Sequence, residues 1–277
     1  MPKRTRQAAG EIPPAGVSEV LAPHPLEISG VAAVPGGYAV VGDEDNEHGR
    51  IWPGGARFDF AGKLKGPESI DVGMGAGGES LWLVLGERKG RLIDLDGGAC
   101  EFADPLQMRH GRGLEGVAVH WRDGRWQVAL AWEGGFYDWD SPARGTWAKP
   151  RIALLTWTRG EGMRGGPDTT FELEVPEPSV GQRFRAPDLV FDRDGLVVLL
   201  ASTDARRKRR KHTWLQRFDL AGRPTGQPLR LEEAWDRYHD NKNWEGLDWT
   251  LDGTALVLAH DEKDSERHRA LAITRYP

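Results

Sequence analysis

A two-strand unit recurs along this chain, and this recurrence constrains the fold more than any single motif. The copy nearest the C-terminal end comprises residues 243–249, a turn at 252–253, and residues 255–261. Two apolar runs joined by an Asp-Gly turn predict a β-hairpin. A carboxylate, Glu245, stands near the start of the first run, and Asp261 ends the second.

Four similar units precede this copy. In every unit the leading and trailing carboxylates lie about 16 to 19 residues apart, which is the spacing of a repeated two-strand hairpin. The leading carboxylates are Glu27, Glu68, Glu115, Asp188 and Glu245, and the trailing ones are Asp43, Glu87, Glu133, Asp204 and Asp261.

A third strand is predicted after each hairpin. These third strands are placed at residues 56–60, 91–95, 151–155, 214–218 and 270–274. Four units also have a candidate fourth strand. The last unit has none, and residues 17–21 are its natural donor, because pairing there would close the ring and cover an exposed sheet edge.

Four-stranded units repeated about every 40 to 70 residues predict an all-β fold of the β-propeller class. We expect a five-bladed propeller whose last blade is closed by an N-terminal strand. A six-bladed propeller is the alternative, because the third and fourth units are long. Residues 1–15 are expected to form a flexible N-terminal segment, and residues 16–277 a single propeller domain.

Composition excludes several other classes of protein. The single cysteine, Cys100, excludes an intrachain disulfide and a multi-thiolate metal site. The net charge of -5 gives no general attraction to nucleic acids or anionic membranes. The chain has neither an apolar run of roughly 18 residues nor a visible secretory signal. We therefore expect a cytoplasmic monomer, or a periplasmic or secreted protein if a leader has been removed, that acts on a small molecule.

The leading carboxylates are expected to form a ring, because the innermost strand of each propeller blade lines the central channel. Like charges about 6 Å apart repel by roughly 3 kcal/mol per pair at an effective dielectric near 20, so a cation, protonation or arginines must offset them. Oxygen donors without thiolates favour Ca²⁺, with Mg²⁺ as the alternative. We expect two to four of the five carboxylates to bind the ion, and Arg112 to pair with others.

Short motifs in the same strands resemble a known family. They are the sequences at residues 112–118 (RGLEGVA), 186–189 (APDL), 243–247 (NWEGL) and 27–31 (EISGV). Together they resemble the phytase-like (esterase-like activity of phytase) and SdiA-regulated β-propellers, and more loosely the calcium-activated apyrases. The resemblance implies a propeller with a central metal, usually Ca²⁺, and it implies hydrolysis of phosphate or ester bonds less specifically. Ser202-Thr203-Asp204 stands where the family often has Glu-Arg.

Two functions follow from these features. The first is a calcium-dependent hydrolase of a phosphoester, ester or lactone. In it the metal ligands come from the leading carboxylates, and Glu115, Asp188, His260 and Arg112 are the candidate catalytic residues. For His260 a hydrogen-bonded position at a strand end is the favoured alternative. The second function is a non-catalytic, Ca²⁺-stabilised propeller that binds a ligand or protein partner.

Two loops contribute to the second hypothesis. One is aromatic, with Trp132, Phe136, Tyr137, Trp139 and Trp147, and it suits either a stacking platform or packing onto its own blade. The other carries the basic run 206–211, for which a solvated hairpin tip is favoured over contact with a polyanion. Nucleic-acid binding is not expected from one basic cluster on an acidic chain. The absence of a nucleophile elbow, a P-loop and a dinucleotide fingerprint disfavours serine esterases and nucleotide-dependent enzymes.

Overall fold

The computed structural model is all-β over the part of the chain that it describes. The described residues are 18–19, 28–42, 47–52, 54–60, 64, 66–86, 90–101, 113–132, 134, 149–163, 167–175, 182–204, 211–231, 243–261 and 270–274. They form 21 strands in five antiparallel sheets. Among these residues, no helical segment has the length and hydrophobicity to cross a membrane.

Strand β1 (Ser18–Glu19) belongs to the last sheet, and blades 1 and 2 follow it in the chain. Blade 1 consists of β2 (Gly30–Val34), β3 (Gly37–Val41), β4 (His48–Trp52) and β5 (Ala56–Asp59). Blade 2 consists of β6 (Pro67–Met74), β7 (Ser80–Gly86), β8 (Arg91–Asp94) and β9 (Ala99–Glu101).

Blades 3 and 4 have the longest strands. Blade 3 consists of β10 (Leu114–Arg122), β11 (Arg125–Trp132), β12 (Arg151–Thr158), and two short strands that both pair with β12, namely β13 (Gly162–Met163) and β14 (Thr169–Glu172). Blade 4 consists of β15 (Gln182–Asp192), β16 (Gly195–Asp204), β17 (Lys211–Asp219) and β18 (Pro224–Arg230).

Blade 5 joins the two ends of the chain. Its strands from the C-terminal side are β19 (Asn243–Trp249), β20 (Leu256–Asp261) and β21 (Ala270–Thr274). Strand β1 pairs with β21, with Ser18 opposite Ile273 and Glu19 opposite Ala272. The predicted closure of the last blade by an N-terminal strand is therefore confirmed.

The prediction for the outer half of blade 1 is wrong by one strand. The segment predicted as the third strand forms β5, the fourth, and the third strand is β4. Strand β4 pairs with β3 through Tyr38 opposite Trp52 and Val40 opposite Arg50. Its sequence, HGRIW, lacks an apolar run, so its pairing depends on its neighbours in the sheet more than on local hydrophobicity.

The hydrophobic core lies between the blades and continues around the whole ring. Each of five clusters of buried side chains combines residues of two consecutive blades, including blade 5 with blade 1. In the cluster that closes the ring, Val257 and Ala259 of blade 5 pack with Val31 and Val40 of blade 1. The predicted all-β propeller is confirmed, and the five sheets fit the predicted number of blades.

Candidate functional site at the channel

Three of the predicted glutamates occupy the same structural position in their blades. Glu68, Glu115 and Glu245 are each the extra residue of a β-bulge near the start of the innermost strand. Each is half-buried. A β-bulge redirects a side chain and is over-represented beside active sites. Because the bulge recurs at the same position in three blades, the three glutamates are equivalent residues of the repeat. We call them the bulge glutamates.

The structure corrects the predicted position of Asp188. The bulge of β15 lies between Arg185 and Asp188, and Asp188 pairs with Leu199 directly after it. The prediction that Asp188 is equivalent to the glutamates is wrong by one residue, because the bulge of β15 contains Ala186 and Pro187, not a carboxylate. Glu27 and Arg112, also predicted for this site, lie outside the described residues.

A layer of residues around the channel is formed by the first pair after the bulge in blades 2 to 5 and by the first pair of β2 with β3 in blade 1. We call this layer rung 1, and the one two residues further along each strand rung 2. Rung 1 contains Gly30, Ser69, Gly116, Asp188 and Gly246. Rung 2 contains Ala32, Asp71, Ala118, Val190 and Asp248.

The blades approach one another very closely at rung 1. A Cβ atom on Gly30 would lie 2.6 Å from the Cα atom of Ser69 in the next blade. A Cβ atom on Gly116 would lie 2.8 Å from the Cα and 2.9 Å from Oδ1 of Asp188. Glycine is therefore needed at both positions for neighbouring blades to pack at this distance.

Asp188 connects three blades across the channel. Its Oδ2 accepts a hydrogen bond from the backbone amide of Leu247 in blade 5, at 2.7 Å. Its Oδ1 accepts bonds from its neighbour Leu189 at 2.9 Å and from the hydroxyl of Ser69 in blade 2 at 3.1 Å. Asp188 has no exposed surface. Both oxygens are engaged, which supports a structural role over the predicted catalytic or metal-binding one.

Asp71 and Asp248 repeat this arrangement on rung 2. One oxygen of Asp71 accepts from the amide of Val72 at 2.7 Å, and the other accepts from Val119 of blade 3. One oxygen of Asp248 accepts from the amide of Trp249 at 2.6 Å, and the other accepts from Ala33 of blade 1. Each carboxyl thus caps one amide of its own strand and one of the following blade.

A hydroxyl group in blade 2 links neighbouring blades in the same way as these carboxyl groups. The Oγ of Ser69 accepts a hydrogen bond from the amide of Val117 in blade 3 while it donates to Asp188. Each buried hydrogen bond contributes about 0.5–1.5 kcal/mol to stability, so these bonds together are a substantial part of the contact between blades. We call Asp71, Asp188 and Asp248 the tie aspartates.

The tie aspartates favour the protonated form more than ordinary carboxyl groups do. Desolvation raises the pKa of Asp71 to about 7, although the amides of Val119 and Val72 oppose the shift. Desolvation also raises the pKa of Asp188 well above its ordinary value, and Asp71 adds a smaller repulsion. Desolvation and then the charge of Asp71 raise the pKa of Asp248. Protonation is thus one of the expected means of offsetting repulsion at the channel.

The described residues do not complete a metal site by themselves. Within the described ranges, no group of three or more His, Cys, Asp or Glu side chains is close enough to hold an ion. The donors present are carboxylate oxygens, which have the chemistry that Ca²⁺ prefers. The central cation therefore stays a prediction, with the bulge glutamates as its candidate ligands.

Two of the remaining residues predicted for this face, His260 and Trp132, lie within the part of the chain that the structure describes. His260 is 1% exposed, and its ring makes an edge contact with Trp244 at 5.1 Å. Trp132 of the aromatic loop is buried at the end of β11. The other aromatic residues of that loop, the basic residues 206–210, and the trailing carboxylates Asp43, Glu87 and Glu133 lie outside the described residues.

Comparison with known proteins supports the fold and leaves the family open. No protein-family model matches this chain, and no curated protein matches it. Among solved structures, an endo-arabinase from Bacteroides thetaiotaomicron VPI-5482 aligns with a TM-score of 0.50 and 12% identity, over 94% of this chain and 98% of that one.

Two further solved structures align with lower scores. A streptogramin B lyase aligns with a TM-score of 0.38 and 11% identity, over 94% of this chain and 97% of that one. The hydrazine synthase of Kuenenia stuttgartiensis aligns with a TM-score of 0.37 and 10% identity, over 92% of this chain. This chain spans 60% of the length of that protein. At these identities the likeness is one of fold, and the arabinase alignment together with the sheet topology identifies a β-propeller.

Proposed function

We propose that the protein binds a divalent cation, Ca²⁺, at the channel face through the bulge glutamates Glu68, Glu115 and Glu245 together with Glu27. Some of these contacts run through water, because the three described glutamates are not close enough to one another to enclose an ion by themselves. One observation carries the proposal: in three blades the same bulge presents a glutamate at the same position. Carboxylate oxygens are the donors that Ca²⁺ prefers in proteins. Mg²⁺ is the alternative ion, although separate blades suit the larger and more flexible shell of Ca²⁺ better.

The proposed activity is hydrolysis of an ester, a phosphoester or a lactone at this ion. A bound divalent cation supplies polarisation of a carbonyl or phosphoryl oxygen and a lowered pKa of bound water. The half-buried glutamates leave the site in contact with solvent, so a small substrate has access to it. The family resemblance of the strand motifs supports the same class of reaction.

A second candidate function is binding without catalysis. It is favoured by the tie aspartates, because each of their oxygens accepts at least one hydrogen bond from the protein itself. Carboxyl groups so engaged hold blades together and do not serve as general bases. In this case the ion would stabilise a propeller that presents its channel face to a ligand or protein partner.

Calorimetric titration of chelator-treated protein with Ca²⁺ tests the proposal. We expect saturable binding and a higher Tm, and at least about tenfold weaker binding in the Glu115→Gln/Glu245→Gln double variant. The matched control is Glu101→Gln/Glu161→Gln, which changes the charge equally at exposed positions in blades 2 and 3. Absence of binding heat and of thermal stabilisation at millimolar Ca²⁺ would rule out the cation site.

The same preparations separate the two functions. Wild-type protein is assayed with p-nitrophenyl acetate, p-nitrophenyl phosphate and a γ-lactone, with Ca²⁺ and with chelator. Turnover that requires Ca²⁺ and is lost in the folded double variant supports the hydrolase. Ca²⁺ binding without turnover of any of the three substrates supports the non-catalytic propeller.

A further inference from the structure

A cleft on the outer half of blade 4 has the properties of a second binding site, separate from the channel face. It has a volume of about 840 Å³ and lies between strands β16 to β18 and the edge of blade 3. This size falls within the usual range of about 300–1,000 Å³ for sites of small molecules.

The cleft exists because the outer strand of blade 4 leaves the sheet. Trp214 pairs with Arg230, and Leu215 with Leu229, but the next pair is Arg217 with Thr225. Residues 226–228 therefore loop away from the sheet opposite Gln216. The side-chain amide of Gln216 is buried and donates to the carbonyls of Arg217 at 3.0 Å and Thr225 at 3.1 Å. This amide replaces the missing ladder contacts and holds the loop in its open position.

The other wall of the cleft is attached firmly to blade 4. The amide of Glu174 donates to the carbonyl of Gly222 at 2.8 Å, which joins the edge of blade 3 to the turn after β17. Beyond this contact the buried side chains of Val175, Phe184 and Phe218 form the apolar floor. The described wall and floor of the cleft therefore belong to the packed interface between blades 3 and 4.

One aromatic side chain is presented to the cavity in a fixed orientation. Trp214 packs edge-to-face against Phe184, with ring centroids 5.4 Å apart and planes at 77°. Trp214 is only half-buried, so part of its indole surface remains available to a ligand. Stacking on such a ring contributes about 0.5–1.5 kcal/mol beyond the burial of apolar area.

The charges of the cavity favour an anion. Arg230 stands directly across from Trp214 on β18, and Lys149 lies on the blade 3 side. Among the lining residues that the structure describes, these two cations stand beside one carboxylate, Glu174. Arginine next to an aromatic ring provides both a planar stacking partner and a fork of donors for a carboxylate.

We propose that this cleft binds a small planar aromatic carboxylate, with its ring on Trp214 and its carboxylate directed at Arg230 and Lys149. The apolar floor and the indole of Trp214 contact the ring of the ligand, and Arg230 and Lys149 contact its carboxylate. A neutral ring of the same size lacks the second contact and binds more weakly.

Calorimetric titration with three probes of the same shape tests the charge preference. The probes are 1-naphthoate, 1-naphthamide and 1-naphthylmethylammonium. We expect the anion to bind about tenfold more tightly than the amide and the cation to bind most weakly. Equal affinities for the three probes, or no binding heat with 1 mM 1-naphthoate, would overturn the proposal.

Variants then test the assigned residues. We expect Trp214→Ala to weaken 1-naphthoate binding by about tenfold or more, and Trp214→Phe by about threefold or less. Arg230→Gln should weaken binding of 1-naphthoate about fivefold or more and leave 1-naphthamide unchanged. The control is Arg57→Gln, an exposed arginine of blade 1. Unchanged affinity in a folded Trp214→Ala variant would overturn the proposal.

A measurement on the wild-type protein complements the variants, because only the conservative Trp214→Phe variant is needed to assign the signal. The indole N–H resonance of Trp214 is assigned among the 12 tryptophans by its loss in Trp214→Phe. We expect this resonance to shift on addition of 1-naphthoate, with a midpoint that matches calorimetry. Shifts confined to other indoles would place the ligand elsewhere and overturn the assignment.

Discussion

Two sets of carboxylates lie three residues apart on the innermost strands of blades 2 and 5, yet they occupy different positions in the sheet. In blade 2, Glu68 is the extra residue of a bulge and is half-buried, whereas Asp71 is 6% exposed and caps amides of two blades. In blade 5, Glu245 is the extra residue of the bulge and Asp248 caps amides of two blades, although both side chains are half-buried. A difference of a few residues in register therefore separates a side chain that can meet a ligand from one that holds the ring together.

The largest expected effect comes from removing a tie. Asp188→Ala leaves the amides of Leu247 and Leu189 and the hydroxyl of Ser69 without their acceptor inside the protein. Unsatisfied buried donors cost about 1–3 kcal/mol each, and we expect a loss of roughly 3 kcal/mol or more in the free energy of unfolding, measured by urea denaturation.

The matched control for this change is Glu115→Gln. It replaces the carboxylate of a half-buried bulge position with an amide of the same shape. In chelator-treated protein, where no Ca²⁺ contributes, we expect a loss of less than about 1 kcal/mol in the free energy of unfolding. Equal destabilisation by Asp188→Ala and Glu115→Gln would show that the two sets of carboxylates do not differ in their structural role.

A second prediction concerns the space around the tie. A Cβ atom on Gly116 would lie 2.8 Å from the Cα atom of Asp188, which is backbone and cannot turn aside. We expect Gly116→Ala to cost about 1–3 kcal/mol, in the range of other overpacked core positions. A Gly116→Ala variant with wild-type stability, seen in the same urea denaturation, would mean that blades 3 and 4 do not approach so closely.

The sequence predicted much of this fold because the relevant signals are local. Apolar runs separated by Gly-rich or Asp-Gly turns located the strands, and the missing fourth strand of the last unit pointed to the N-terminal donor that β1 supplies. Strand β4 was not predicted, because its own sequence has no strand pattern. Its extended conformation depends on its pairing with β3.

The candidate site was predicted less completely, because register depends on long-range pairing. The two residues at the bulge of β15 shift Asp188 from the position of the glutamates to rung 1. Asp71 and Asp248 were not singled out, although a carboxylate between apolar residues inside a strand is a usable signal: Ile70-Asp71-Val72 and Leu247-Asp248-Trp249. The outer cleft depends on how β18 leaves the sheet, which no local pattern indicates.

A third prediction uses pH. The pKa of Asp71 is raised to about 7 in the folded state from an ordinary value of 3.8, so between these values the folded state binds more protons than the unfolded state. Its contribution to stability is present at low pH and is lost as the pH rises from about 4 to about 7. The raised pKa values of Asp188 and Asp248 act in the same direction.

Asp71→Asn removes this contribution together with the charge that helps to raise the pKa of Asp188 and Asp248. The difference in unfolding free energy between wild type and Asp71→Asn, measured in urea at several pH values, should fall as the pH rises through this interval and level off above about pH 7. A difference that grows with pH would show that the carboxylate form of Asp71 is favoured on folding.

Amide hydrogen exchange at Leu247 tests the distinction between ties and bulge glutamates most directly. Asp188→Ala removes the Oδ2 acceptor, whereas Glu245→Gln changes a bulge glutamate only two residues away in sequence. We predict that exchange at Leu247, relative to the other protected amides of blade 5, accelerates about tenfold or more in Asp188→Ala and stays at the wild-type rate in Glu245→Gln. Equal acceleration in both variants, or none in Asp188→Ala, would contradict the division of these carboxylates into ties and bulge glutamates.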